Sequence, residues 1–180
     1  MVILANTNVG LIILYIVLGL IALWVLLFVV DLIFVGSFFT IFKKHRGALS
    51  VILNTKLENI KKLHSLLRQF GIELDNNLLI NLQDVHTEDL YNPESEGFEK
   101  ARGILSYLKD ELFFISSQHE ELLEVKEFVF VKNNIIETDE KFRSNVSMYN
   151  ADVLGYNYWI SFWPCKFIFK LLKIKKKEII

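Results

Sequence analysis

The chain has one cysteine, Cys165, in 180 residues, which excludes an intramolecular disulfide and a Cys-rich metal site. Near a helix end it reads as a small apolar filler. There are two prolines, Pro93 and Pro164, and eight glycines. No Gly-rich phosphate loop, low-complexity tract or tandem repeat is present. Charge is missing altogether from Val9 to Val30, and Asp31 is the only charged residue between Val9 and Phe42. Those 22 residues, at ~1.5 Å each, are enough to cross a hydrocarbon core of ~30 Å. The preceding "MVILANTN" lacks Lys and Arg, the run exceeds a signal peptide's ~7–15-residue apolar region, and no small-x-small cleavage site follows. A retained transmembrane helix over residues 9–35 is therefore expected, after a short external N-terminus, residues 1–8.

Orientation follows from the same asymmetry. Lys43, Lys44 and Arg46 come directly after the apolar run, and basic residues stay on the cytoplasmic side, so the N-terminus is expected outside and everything after Phe42 inside. Asp31 then falls at the inner interface, with residues 32–42 along the headgroups or leaving the membrane. A net charge of −1 hides a segregation: residues 71–140 hold seventeen of the 21 acidic residues, while 43–70 hold seven basic residues and 141–180 hold eight. Both basic blocks are expected near one anionic surface, the inner leaflet.

What is present in the polar part is helical periodicity. Leu49, Leu53, Leu57, Ile60, Leu63, Leu67 and Phe70 recur at intervals of three and four, with Gly71 as a C-cap. Leu78, Leu79, Leu82 and Val85 line a shorter helix between Asp75 and about Leu90. "YNPESEG", residues 91–97, is the clearest loop, with Pro93 and Gly97 as breakers and Ser95 as an N-cap. A stripe from Phe98 through Ala101, Leu105, Leu108, Leu112, Ile115, His119 and Leu122 to Val129 predicts one long helix. "EFVFVKNN" has no second strand to pair with, so it is read as the end of that helix, at an Asn133-Asn134 turn. The chain reads as all-α.

The last long helix repeats a pair of residues. Phe142, Val146, Tyr149, Val153, Tyr156, Ile160 and Trp163 are spaced 4, 3, 4, 3, 4, 3, the seam of a bundle or coiled coil. Asn150 and Asn157 each follow a seam tyrosine and flank the interface. An unpaired buried amide there costs ~1–3 kcal/mol, so each is expected to hydrogen-bond to the neighbouring helix and set its register. Pro164 ends the helix.

Tyr149-Asn150, Val153, Tyr156-Asn157, Ile160, Trp163-Pro164 resembles the C-terminal signature of the LemA family, element for element. The family more often has Phe where Trp163 stands, and Arg close before the first Tyr, where this chain has Val146 and Ser147. The resemblance implies an N-terminal transmembrane helix followed by an antiparallel, up-and-down four-helix bundle, here residues 43–164, whose final helix returns toward the membrane.

Four-helix bundles house di-metal sites through Glu-x-x-His pairs, but Phe42, Lys61, Gln83 and Ser116 precede the four histidines by three residues. "DVHTED" and "HEELLE" place His86 and His119 near carboxylates, as solvated acidic helix faces do. No motif activates a Ser, Cys or His nucleophile, and no cofactor is implied. The acidic middle opposes nucleic-acid binding. The tail, residues 165–180, places Phe167, Leu171 and Ile174 on one helical face and Lys166, Lys170, Lys173 and Lys177 on another, with Trp159 and Trp163 just before it. Such a basic amphipathic helix reads as an interfacial element on anionic lipid, or as a lid on the bundle. The expectation is a single-pass, non-catalytic scaffold with a protein partner on its acidic end. A leaflet-shaping protein is the alternative, and a membrane-bound enzyme comes third.

Overall fold

A computed structural model describes residues 2–162 and 165–180. It contains five α-helices, α1 (Val2–Gln69), α2 (Asn76–Gln83), α3 (Glu96–Ser117), α4 (Lys126–Ser161) and α5 (Cys165–Leu171), with 3₁₀ turns at Thr87–Tyr91 and Glu120–Glu124. No strand occurs among the described residues. The chain divides into two compact units: Met1–Ile41 with Leu154–Lys177, and Phe42–Val153 with Glu178–Ile180.

α1 is one uninterrupted helix of 68 residues. Residues 32–42, expected to lie along the headgroups or leave the membrane, simply continue it. The reason is in the sequence: the first proline is Pro93, and an isolated glycine costs a helix only ~1 kcal/mol. α1 does not stop until Gly71, whose positive φ of 75° lets the chain turn. There Ile72 N donates to Leu67 O and Gly71 N to Arg68 O, the paired closure that satisfies the last carbonyls of a helix.

In the first unit, the apolar side chains of α1 from Val9 to Val30 are exposed around nearly the whole helix. This is the one helix among the described residues that is long and apolar enough to cross a membrane. Cover begins at Asp31, 5% exposed, and Val35, 4% exposed. The Asp31 carboxylate is thus enclosed by the chain itself rather than lying open. Phe34 stacks on Trp159 at 4.8 Å between centroids, and Phe38 and Phe39 meet the Tyr156 ring edge-on at 5.7 and 6.2 Å.

The second unit holds the main core. Leu49, Leu53, Leu57, Ile60, Leu63 and Leu67 are all buried, as their spacing predicts, whereas Phe70 lies half-exposed beyond the last core turn. Leu78, Leu82 and Val85 join them from α2 and the segment after it, and Phe98, Ala101, Leu105, Leu108 and Leu112 from α3. Asp75 caps α2 by accepting from Asn77 N at 3.0 Å, and Ser95 caps α3 by accepting from Phe98 N at 3.2 Å. Gly97 is not a breaker. It sits in the first turn of α3, where a Cβ would come within 2.6 Å of Asp89 Oδ1.

The expected long helix over residues 98–133 is two helices. α3 ends at Ser117, a 3₁₀ turn crosses Glu120–Glu124, and α4 starts at Lys126, runs through Asn133-Asn134 and continues to Ser161. Buried Phe128, Val131, Ile135 and Thr138 extend the seam of the last helix backward at intervals of three and four. A turn at Asn133-Asn134 would break that stripe. The actual reversal leaves only Leu122 inside, with Glu120, Glu121 and Glu124 exposed.

The buried charges Lys56 and Asp139 in this core are paired, whereas the Ser50 hydroxyl and Arg46 Nε are buried with no hydrogen-bond partner among the described residues. The Asp139 carboxylate on α4 meets Lys56 Nζ of α1 at 2.5 Å and Lys109 Nζ of α3 at 2.9 Å, and Lys56 is only 5% exposed. Burial alone would raise the Asp139 carboxyl, but the hydrogen bonds and charges of the two lysines outweigh it and hold it below its ordinary value. Asp139→Asn should lower unfolding free energy by about 3 kcal/mol, since Lys56 is left as an uncompensated buried cation. Because the folded-state value is depressed, the native contribution is present above the ordinary carboxylate range and is lost as pH falls through the lowered value. In denaturant titrations the stability gap between the two proteins should be constant at neutral pH and narrow as the pH falls below the ordinary carboxylate range.

Candidate functional site

The repeated tyrosine-asparagine pair is the most distinctive sequence feature, and its side chains divide their work. Tyr149 and Tyr156 are fully buried, at 0% and 1% exposure, while Asn150 and Asn157 are half-buried at the edge of the seam. The tyrosine rings pack on α1: Tyr149 against Phe42 at 5.7 Å and edge-on to His45 at 6.4 Å in the second unit, Tyr156 against Phe38 and Phe39 in the first. Val153 and Ile160 are buried with them. Trp163 and Pro164 lie outside the described residues.

The asparagines do not reach the neighbouring helix. Asn150 Nδ2 donates to the main-chain oxygen of Ile180 at 2.9 Å, and Ile180 N donates to Asn150 Oδ1 at 3.0 Å. Asn157 repeats this with Lys177: Nδ2 donates to the Lys177 oxygen at 2.8 Å and Lys177 N donates to Oδ1 at 2.9 Å. Each amide thereby copies the two-bond exchange of a β-ladder pair. A main-chain N–H only donates, so the pairing also determines which amide atom is which. Tyr156 OH adds a bond to the Lys175 oxygen at 3.1 Å.

These bonds exist because the tail is not one amphipathic helix. α5 stops at Leu171, and Lys173 takes a left-handed φ of 55°. Its N–H goes to Lys170 O while Ile174 N reaches back to Phe169 O, the same closure that glycine provides at the end of α1. Beyond it, residues 174–180 adopt no helix or strand, and Ile174, Lys177 and Ile180 turn inward every third residue. Lys170, expected on the charged face of a longer helix, lies in the last turn of α5 and is exposed, as is Lys166; Lys173 forms the turn. Phe169 is buried, whereas Phe167 and Leu171 are 68% and 83% exposed.

A second polar centre lies in the second unit. Glu94, from the loop before α3, accepts from Tyr149 OH at 2.9 Å and pairs with Arg46 of α1. Burial, followed by the Glu94 bond and charge, pushes the Tyr149 phenol up to about 12, against the opposing pull of Arg46. Nearby, His45 Nε2 lies 2.9 Å from Asp152 Oδ2. Of the three cations expected to face the membrane, Arg46 is thus engaged internally, and Lys43 and Lys44 are exposed. His119 immediately precedes the 3₁₀ turn at Glu120–Glu124, and its Nδ1 lies 3.0 Å from Glu121 Oε1. Among the described residues no cluster of three His, Cys, Asp or Glu side chains is placed to hold a metal.

Compared with protein-family models, curated proteins and solved structures, the chain matches none. What the geometry defines is an all-helical protein with one helix long and apolar enough to cross a membrane. Its repeated Tyr-Asn pairs join helix packing to the main chain of an extended tail.

Tyr149→Phe should cost about 1–2 kcal/mol of stability, because it removes the phenol from a buried bond to a carboxylate. Glu94 retains Arg46, so the fold should persist, and helical circular dichroism at 20 °C should stay unchanged while the unfolding midpoint drops.

Proposed function

We propose that the protein is a non-catalytic, membrane-anchored scaffold of LemA type, with its N-terminus outside and its packed helical unit on the cytoplasmic face. The observation that supports this reading is the apolar stretch of α1, exposed from Val9 to Val30 and of membrane-crossing length.

The anchor's sidedness rests on Lys43 and Lys44, exposed just after the apolar stretch. The antiparallel run of α1 and α4 that a four-helix bundle requires is supported by the cross-helix pairs Phe42 with Tyr149, His45 with Asp152 and Lys56 with Asp139. The partner surface in this reading is the acidic turn at Glu120, Glu121 and Glu124, all exposed. Phe114, Leu123 and Phe130, also exposed, supply the apolar centre that a protein interface needs.

One observation favours the second reading, direct action on the leaflet. Exposed Phe167 and Leu171 lie one helical turn apart on α5 beside exposed Lys166 and Lys170, a combination that suits insertion among anionic headgroups.

In sealed vesicles of known sidedness, protease added on the cytoplasmic face should remove the unit and leave the N-terminus intact. Photo-crosslinking residues at positions 120 and 124 should capture a protein. Charge reversal of Glu120, Glu121 and Glu124 to lysine should abolish capture without changing thermal stability. Failure to capture any protein, together with loss of anionic-lipid contact on Phe167→Ser/Leu171→Ser, would favour the leaflet reading.

A further inference from the structure

The first unit contains a basic cavity of its own. Between Leu154 and Lys177 there are six lysines and no Asp or Glu. The end of α4, α5 and the tail border an open cavity of about 310 Å³. Buried Ile160 and Phe169 and half-buried Ile174 supply its apolar wall, and exposed Lys166, Lys170 and Lys176 supply its charge. None of these three lysines makes an ion pair among the described residues. Ser161, also in the wall, gives its hydroxyl proton to Asn157 O at 2.7 Å. The ammonium groups are therefore the donors this cavity offers.

The fold, and not the helical period, assembles the three lysines. On a helix continued past Leu171, at about 100° per residue, Lys173 and Lys177 would share a face with Lys166 and Lys170, and Lys176 would stand about 80° from Lys166. The closure at Lys173 turns the chain instead. Main-chain groups on both sides of Lys176 are then tied to α4. Lys175 O accepts from Tyr156 OH at 3.1 Å, and Lys177 exchanges two hydrogen bonds with the Asn157 amide. Lys176 is thus a fixed part of the wall, whereas Lys173 and Lys175 lie outside it.

The level of the cavity follows from α1. Trp159, directly before Ile160 and Ser161, stacks on Phe34. Phe34 lies one helical turn, ~6 Å, beyond Val30, the end of the uncharged run. That is the depth of the headgroup layer, which adds ~5–8 Å to each side of the hydrocarbon core.

We propose that Lys166, Lys170 and Lys176 form a binding site for the phosphate of one anionic phospholipid, with preference for a phosphomonoester headgroup. A monoester phosphate carries roughly 1.5–2 negative charges near neutral pH and presents three acceptor oxygens, so it answers three ammonium groups better than a singly charged diester does. The site deepens the leaflet reading and rests on α1 crossing a bilayer. Insertion of Phe167 and Leu171 alone would respond to charge anywhere on the tail. A built site responds only to the lysines that line it.

The test uses the full-length chain in neutral detergent, with phosphatidate titrated in and bound lipid counted by native mass spectrometry. One tightly held lipid per chain is expected, with phosphatidylglycerol bound at least about threefold more weakly. Lys166→Gln, Lys170→Gln and Lys176→Gln should each weaken phosphatidate binding about tenfold, the loss of one charge-assisted hydrogen bond. Lys173→Gln and Lys175→Gln remove the same charge from the same tail and should change it less than about twofold. Asn157→Leu, which frees the main chain beside Lys176, should weaken binding as Lys176→Gln does and add less than about twofold to it in the double variant. Equal losses at all five lysines, or equal affinity for phosphatidylglycerol, would overturn the proposal. Competition by glycerol 3-phosphate as effective as that by the lipid would also overturn it, since the site would then take a soluble phosphate ester. Alkaline extraction of membranes carrying the protein tests the anchor separately. Retention combined with equal lysine losses sinks the site alone, whereas release sinks anchor and site together.

Discussion

A helix can satisfy its own main chain; an extended segment cannot, and must find donors and acceptors elsewhere. That requirement organises the C-terminal part of this protein. α4 presents an asparagine amide to the tail at positions 150 and 157, and each supplies both a donor and an acceptor to one tail residue. The residue before each asparagine is a buried tyrosine, because a seven-residue interval keeps one helical stripe facing inward while the next position stays at its edge. Packing and main-chain pairing share one period for this reason. Loss of the spacing would uncouple the seam from the tail.

The same accounting governs the charged groups of the second unit. Lys56 is buried, and a lone ammonium there would be costly; Asp139 answers it and Lys109 together. Glu94 lies half-open on a loop, yet it ties Arg46 of α1 to Tyr149 of α4. The loop that carries Glu94 also carries Ser95, whose hydroxyl starts α3. One short turn thus begins a helix and connects two others. Such pairs contribute less through net attraction than through the penalty for any alternative packing that leaves one partner dry and alone.

Much of the fold was legible. The uncharged run, the leucine stripe of α1, the caps at Gly71 and Ser95 and the seam through Tyr149, Val153, Tyr156 and Ile160 all follow from composition and period, since solvent alone punishes their violation. Three features were not. The end of α3 was masked because the stripe from Leu112 to Val129 stays roughly in phase across the 3₁₀ turn at Glu120–Glu124. The Asn133-Asn134 pair imitates a turn, but a helix tolerates asparagine on its exposed side. The tail's lysines at intervals of three and four imitate the charged face of a longer helix, whereas the half-buried Ile174, Lys177 and Ile180 keep a three-residue extended period.

The sequence by itself determined that the chain is helical, that one helix carries an apolar stretch of membrane-crossing length, and that a heptad stripe closes the last long helix. These are local or solvent-facing properties, set by side-chain polarity and the period of the main chain. Only the tertiary structure decided that Asp139 serves two lysines and that the asparagines hold the tail. Each of these depends on groups distant in sequence meeting at hydrogen-bonding distance, as Asn150 and Ile180 do across thirty residues. No window of sequence contains both partners of such a bond.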